Sequence, residues 1–363
     1  MKIVLISQVS YPRLSPRAHR TTELAKEFAR RGYYVVLYSL LGNYDYTDYS
    51  KETGIIFKNL GKSKLGLVDN GGYQSRNILI RAFNRFIGKF IHSPNIELIP
   101  MVKKAINNEG KIDLLVTIAD PHVIHYAAAK SNRCLVKNWI TDNGDPFMGN
   151  PFHSYPKYFE KYERYWCERC DYILVPIKEA VDAYYPEYRE KIKVIPQGFN
   201  FDAVQLAKYE QNNVPTFAYS GVVYKNLRDP NRFLEYLSSL SSDFKFVVYT
   251  ASYPFFYKYK EKLGDKLEIR ERITRDKLLY ELSKMDFLIN IANLFGVQQP
   301  SKLIDYALTK RPILEISSNF NTKEMSAFND FFKQDYRKQL VVGNVDKYNI
   351  KTIVNNIESL CCN

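Results

Sequence analysis

Apolar residues in this chain gather into short unbroken runs, separated by longer stretches with helical spacing. Ile3–Ile6, Tyr34–Tyr38, Asp113–Ile118, Leu135–Thr141 and Tyr172–Val175 are such runs. They lack polar alternation, as strands buried on both faces do. Between the first two, Thr21–Arg31 reads as a helix that Gly32 ends. Strand, loop, helix and strand in that order make the right-handed unit that opens a parallel sheet. Asn200–Pro215 is polar and aperiodic, as a linker is. The pattern then restarts, with strands at Thr216–Ser220, Phe246–Tyr249, Leu267–Ile269 and Asp286–Ile291. Pro230–Leu240 reads as a helix, and Thr274 caps another. In Gln298–Leu314, Pro300 suits a first helical position, and Leu303, Ile304, Ala307 and Leu308 share one face. Pro312 ends that helix before the strand Ile313-Leu314. A final helix covers Ile350–Leu360.

The expectation is an α/β chain of two Rossmann-like domains whose ligand loops face one interdomain cleft. The boundaries are 1–201 for the N-terminal domain and 202–346 for the C-terminal one. A terminal helix, 347–363, packs back across the junction. Residues 42–75 read as a long loop with a strand near Gly54–Phe57. Arg76–His92 is sharper: Asn77, Arg81, Asn84, Arg85, Lys89 and His92 fall on one side of a helix. Leu79, Ala82, Phe83, Phe86, Ile87, Phe90 and Ile91 fall on the other. Such a helix either lies on an anionic membrane or buries its apolar face in the core, and the second is the commoner fate of a large apolar face.

At 363 residues the chain has room for two cores, and its 45% hydrophobic and 25% charged residues are those of a globular protein. The formal charge of +13 calls for a polyanionic partner: nucleic acid, an anionic membrane or a phosphorylated ligand. The 29 Tyr and 22 Phe are spread along the sequence. The start is too short for a signal-peptide core, and no apolar run has membrane-spanning length. Five cysteines without a framework suit a reducing compartment, so a cytoplasmic protein is expected. Cys167 and Cys170 have metal-ligand spacing, but no second pair completes a zinc site.

Chemistry concentrates at the carboxyl ends of the strands, where open α/β sheets bind ligands. The first loop lacks a Gly-x-Gly-x-x-Gly fingerprint, which disfavours a dinucleotide there. It carries Arg17 and Arg20, cations at a helix start that the dipole disfavours. His122 follows one strand and has the pKa range for proton work. Asp142 and Asp145 follow another, and as a lone pair they are a weak Mg²⁺ signal. In the second half, Gly221 lets backbone approach an anion, with Lys225 and Arg228 to neutralise it. The helix start at Ser301 offers free amides to a phosphate. One turn on, Asp305 could accept from a vicinal diol, although Lys302 and Asp305 could equally form a surface ion pair.

Five segments in order carry a resemblance. They are SPRAHRTTELAKEFARRGYYV at 15–35, WITDNGDPF at 139–147, VIPQG at 194–198, YSGVVYKNLRDP at 219–230, and QQPSKLIDYALTKRPIL at 298–314. Together they resemble the GT-B glycosyltransferases of the retaining, family-four-like group, whose signature reads PSKLFEY…GKPI. Asp305 stands where that signature has Glu, and Lys310 where it has Gly. The resemblance implies that the α/β halves are those of a GT-B fold, with the acceptor bound by the first domain and the donor by the second. Lys225, Arg228 and Lys302 would grip the donor diphosphate, Asp305 the ribose, and Ile273 and Thr274 the base. Gln298 and Gln299 would meet the donor sugar, where Val297 replaces the group's usual Glu. Arg17, Arg20, His122, Asp142 and Asp145 would face the acceptor.

The implied reaction is retaining transfer from a nucleotide-diphosphate sugar, a UDP-sugar ahead of a GDP-sugar, with no cofactor and no metal. With the basic amphipathic helix, the acceptor reads as a glycan or lipid-linked sugar at the inner membrane face, in bacterial surface polysaccharide synthesis. Three other readings stand beside it. A GT-B sugar-nucleotide epimerase would use the same donor seat, and Val297 leaves room for a binder that has lost catalysis. A basic nucleic-acid-binding protein fits the charge but lacks a helix-turn-helix, zinc finger or RNP-like motif.

Overall fold

The structure, a computed structural model, describes residues 1–363 except 72–77, 89–94, 151–154, 203, 224–227, 293–300 and 362–363. Of Arg81 and Ser301 it describes only the backbone. The chain divides into two compact units: Met1–Asn200 with Lys347–Asn363, and Phe201–Asp346.

In the first unit, seven parallel strands form one sheet: β1 (Lys2–Ser7), β2 (Tyr34–Ser39), β3 (Ile56–Asn59), β4 (Ile112–Ile118), β5 (Val136–Asp142), β6 (Tyr172–Val175) and β7 (Ile192–Val194). Their order is β3-β2-β1-β4-β5-β6-β7. The order reverses between β1 and β4, where Leu5 pairs with Leu37 on one side and Val116 on the other. Such a reversal opens a crevice at the strands' carboxyl ends. The helices are α1 (Pro16–Arg30), α2 (Thr47–Thr53), α3 (Ile78–Ile87), α4 (Leu98–Glu109), α5 (Val123–Ala129) and α6 (Glu160–Arg169).

The second unit repeats the plan with β8 (Thr216–Ser220), β9 (Lys245–Tyr249), β10 (Leu267–Arg270), β11 (Phe287–Ile291) and β12 (Ile313–Ile316), in the order β10-β9-β8-β11-β12 and all parallel. Its helices are α7 (Asn231–Ser239), α8 (Tyr253–Leu263), α9 (Arg275–Leu282), α10 (Ser301–Leu308) and α11 (Thr322–Phe332). The chain then returns to the first unit as α12 (Ile350–Cys361).

Each sheet is buried on both faces, which explains the unbroken apolar runs. In β1, Val4 and Ile6 join one cluster while Ile3 and Leu5 join the opposite one. The latter cluster is closed by α12, whose Ile350, Ile353, Val354 and Ile357 pack with Leu24 and Phe28 of α1. Arg31 ties the two helices through Glu358, 2.5 Å away, and the Lys351 carbonyl. In the second unit, phenylalanines scattered in sequence converge: Phe217 lies 4.8 Å from Phe287 and 5.0 Å from Phe246, ring centroid to centroid.

Several boundaries differ from expectation. The α1 helix begins at Pro16, ahead of Thr21, because Ser15 caps it by accepting from the Ala18 amide and Pro16 fits the first turn. Within 42–75, α2 forms, and β3 starts two residues later than expected. α10 ends at Leu308 rather than at Pro312. Lys310 takes a left-handed φ of 59° there, and the Thr309 hydroxyl donates to the Tyr306 carbonyl. α4, α8 and α11 lie beyond the expected helices; α11 is fixed by a capping box of Asn321 and Glu324.

The favoured expectation for the amphipathic helix fails. Of Arg76–His92 the structure describes α3, Ile78–Ile87, and Ile78, Leu79, Phe83 and Phe86 are 78, 78, 49 and 68% exposed. Its apolar face is on the surface, not in the core. No helix among the described residues is long and apolar enough to cross a membrane.

Candidate functional site

In the first unit the site forms at the edge where β1, β4 and β5 end. Arg17, in the first turn of α1, donates through Nη1 to the Ala119 carbonyl at 3.2 Å, bridging to the loop after β4. A Cβ on Gly144 would land on this guanidinium, so any larger residue at that position in the loop after β5 displaces the Arg17 side chain. Burial draws the Arg17 pKa below its ordinary value, against the pull of Asp142, Asp145 and Asp120. Arg17, Asp120, His122 and Asp145 line one pocket of about 250 Å³, together with Ser15 and Tyr155.

Arg20 and Asp142 sit elsewhere. Their side chains are 3 and 4% exposed, Nε lies 2.7 Å from Oδ2, and Arg20 also donates to the Pro196 carbonyl. Of the five residues expected to face the acceptor, then, Arg17, His122 and Asp145 line the pocket. Arg20 and Asp142 are spent on each other. Breaking such a buried pair leaves a charge uncompensated.

His122 is 6% exposed. Its ring stacks on Phe147 at 4.9 Å, and Nε2 lies 3.0 Å from the Asp145 carbonyl. A carbonyl only accepts, so Nε2 carries the proton and Nδ1 the lone pair. Burial lowers the pKa to about 4, so the ring is neutral at pH 7 and can accept from a hydroxyl. Nδ1 is buried without a hydrogen-bond partner among the described residues.

Behind it, the sequence reading missed a polar network. His125 binds Thr117 through Nδ1 at 2.8 Å and Asn143 through Nε2 at 3.1 Å. Trp139 donates to the same Thr117 hydroxyl at 2.9 Å. The network ties β4, β5 and α5 under the loops, and only tertiary proximity reveals it. Glu163 is also buried; the Met148 amide donates to it, and burial pushes its pKa up to about 7.

In the second unit, the described groups gather where β8 ends and α10 begins. Gly221 has a φ of 149°, and a Cβ there would meet the Tyr219 hydroxyl at 3.0 Å. Lys302 lies over the Tyr219 ring, Nζ 4.8 Å from its centroid. That Nζ is buried without a hydrogen-bond partner among the described residues. Burial, with Arg228 nearby, lowers its pKa to about 7, Glu315 opposing. Tyr306, unmarked in the sequence reading although it lies within the signature, accepts from the Ser220 amide at 2.7 Å and locks α10 to the end of β8.

Asp305 meets Arg275 of α9, Nε and Nη2 lying 2.8 and 2.7 Å from Oδ1. The ion pair weighed for Lys302 and Asp305 is therefore replaced by one from Arg275. Ile273 and Thr274 are exposed just before α9, and the Thr274 side chain makes no cap bond, contrary to its expected capping role. Lys225, Val297, Gln298 and Gln299 lie outside the described residues. Among those described, no three His, Cys, Asp or Glu gather as a metal cluster would.

No family model matches this chain, and no curated protein matches it. Solved structures do. A glycosyltransferase from Rickettsia africae ESF-5 is 15% identical with a TM-score of 0.60, over 99% of this chain and 97% of the other. Anabaena Alr3699/HepE, solved with UDP, is 10% identical with a TM-score of 0.61, over 99% of each chain. TarM is 10% identical with a TM-score of 0.61, over 100% of this chain and 99% of the other. HepE was also solved with UDP-glucose. The likeness is one of fold, and it runs the length of the chain: the α/β plan of two Rossmann-like units expected from the sequence is the one found.

Proposed function

We propose that this protein is a glycosyltransferase that moves a sugar from a UDP-sugar to a hydroxyl acceptor. The observation that carries this is Lys302. A buried ammonium without a hydrogen-bond partner is costly, and here it sits at a helix start where backbone amides already favour an anion. A diphosphate would satisfy both. The fold likeness to a protein solved with UDP and UDP-glucose supports the choice of base.

In this reading Lys302, Arg228, Lys225 and the start of α10 at Ser301 take up the negative charge of the leaving diphosphate. Gly221 lets the backbone close on it. Asp305, held by Arg275, receives the ribose; Ile273 and Thr274 flank the base; Gln298 and Gln299 meet the sugar. On the first unit, Arg17 and Asp145 hold acceptor hydroxyls, and neutral His122 accepts a hydrogen bond from one of them through Nδ1. The bond from the anomeric carbon to the diphosphate breaks as that to the acceptor oxygen forms, on the same face. The acceptor's proton passes to the leaving phosphate. Side-chain cations supply the charge stabilisation, which makes the reaction metal-independent. The exposed apolar face of α3 and the charge of +13 support a lipid-linked acceptor at an anionic inner-membrane surface, as in polysaccharide assembly.

Calorimetric titration with UDP and GDP, each with and without EDTA, tests the donor half. UDP binding that survives EDTA is expected; no binding of either nucleotide overturns the reading. Incubation with UDP-glucose then separates transferase from epimerase by NMR. A new nucleotide sugar formed without an acceptor would favour the epimerase.

A further inference from the structure

The first unit carries a second pocket that the proposed reaction does not use. It lies mainly between helices, with His122 and Phe147 of the strand-exit loops at one side. Ile96 lies just before α4 and Ile99 at its start, Val123 and Tyr126 come from α5, and Tyr162 and Trp166 from α6. Its volume is about 260 Å³. An apolar core cavity of ~150 Å³ already takes benzene, so this one is large enough for a hydrocarbon segment.

Three observations say what kind of molecule fits. First, His122 lines this pocket and the polar one beside Arg17 and Asp145, so the two adjoin at one side chain. Second, the lining is mostly apolar and aromatic, with Lys130 beside it, and two polar atoms of its residues, His122 Nδ1 and Trp166 Nε1, are buried without hydrogen-bond partners among the described residues. Orphaned groups of this kind are rare in a finished core. Third, α3, whose exposed Ile78, Leu79, Phe83 and Phe86 form an apolar surface, precedes Ile96 and Ile99 in the sequence.

We propose that this pocket receives the first part of the acceptor's hydrocarbon chain, while the sugar it is attached to occupies the polar pocket across His122. The acceptor is then an amphiphile, with its head read by Arg17 and Asp145 and its tail by the helices. His122 and Trp166 meet the polar atoms at the junction. The inference rests on the glycosyltransferase reading for the word acceptor, but the pocket's preference for an alkyl glycoside stands by itself.

The test uses octyl, nonyl and decyl glucopyranosides below their micellar concentrations, with glucose as the tail-free control. The chain has two tryptophans, and Trp166 lines the pocket, so intrinsic fluorescence reports occupancy. Affinity should exceed that for glucose and rise by up to about fourfold per added methylene until the pocket is full. Val123→Phe should fill the pocket and flatten that dependence while leaving UDP affinity unchanged. Should a thermal melt show that this variant does not fold, Ile99→Phe serves the same purpose.

No length dependence in the wild-type protein overturns the proposal. So does a dependence that a folded filling variant leaves intact, because the chain would then bind elsewhere, on the α3 surface for instance. A parallel UDP titration separates the two ideas. Length-dependent glycoside binding without UDP binding would sink the transferase reading and leave the pocket standing.

Discussion

Lys302 carries opposite predictions for stability and binding. Its pKa is lowered from 10.5 to about 7. The unfolded chain therefore holds a proton that the folded one releases between those values. Folding stability from this group rises as pH climbs from about 7 to 10.5, and below 7 the full cost of the buried cation is felt. Lys302→Met removes that cost and should raise the melting temperature at pH 6. It should also weaken UDP binding by about 10–100-fold, the worth of a charged hydrogen bond. A diphosphate needs the ammonium, so UDP affinity should fall as pH rises above about 7, with proton uptake visible by calorimetry in buffers of different ionisation heat. A pH-independent affinity would remove Lys302 from the donor seat. The identity of this residue was legible in its PSK context; its isolation was not, because isolation is a property of what surrounds a side chain in space.

Gly144 and Lys310 show how single backbone positions shape the elements. Gly144→Ala would drive a methyl into the Arg17 guanidinium. Acceptor binding should weaken while UDP affinity holds, which glycoside and UDP titrations on one sample can compare. Lys310 occupies the left-handed position that ends α10, where a side chain is strained and glycine is not. Lys310→Gly should stabilise the protein by about 1 kcal/mol, readable as a rise in the denaturation midpoint. Here the sequence comparison is informative in reverse: the GKPI pattern has glycine where this chain accepts strain. α1 starts five residues ahead of the expected Thr21, with Ser15 and Pro16 at its beginning. They are start signals, and the cap bond to the Ala18 amide confirms it.

At the level of the whole chain, α12 makes the last residues indispensable to the first unit. Ile350, Ile353, Val354 and Ile357 are all 3% exposed or less. Each such side chain contributes about 1.5–3 kcal/mol by burial, and domain stability is about 5–15 kcal/mol in total. Truncation after Asp346 should therefore abolish the calorimetric transition of the first unit, and a retained transition would show that α12 is dispensable.

The sequence by itself determined the two parallel sheets. Strands buried on both faces must be apolar throughout, and that constraint is written in consecutive residues. It also marked the loops that carry Arg17, His122, Asp145 and Lys302, because glycine, proline and charge collect where strands end. Tertiary structure alone decided which charges are available. Arg20 and Asp142 neutralise each other, Arg275 takes Asp305, and Lys302 is left without a hydrogen bond among the described residues. It also decided the fate of the α3 face and opened the pocket between α4, α5 and α6. An amphipathic pattern fixes which residues share a face, whereas what covers that face depends on elements distant in the chain.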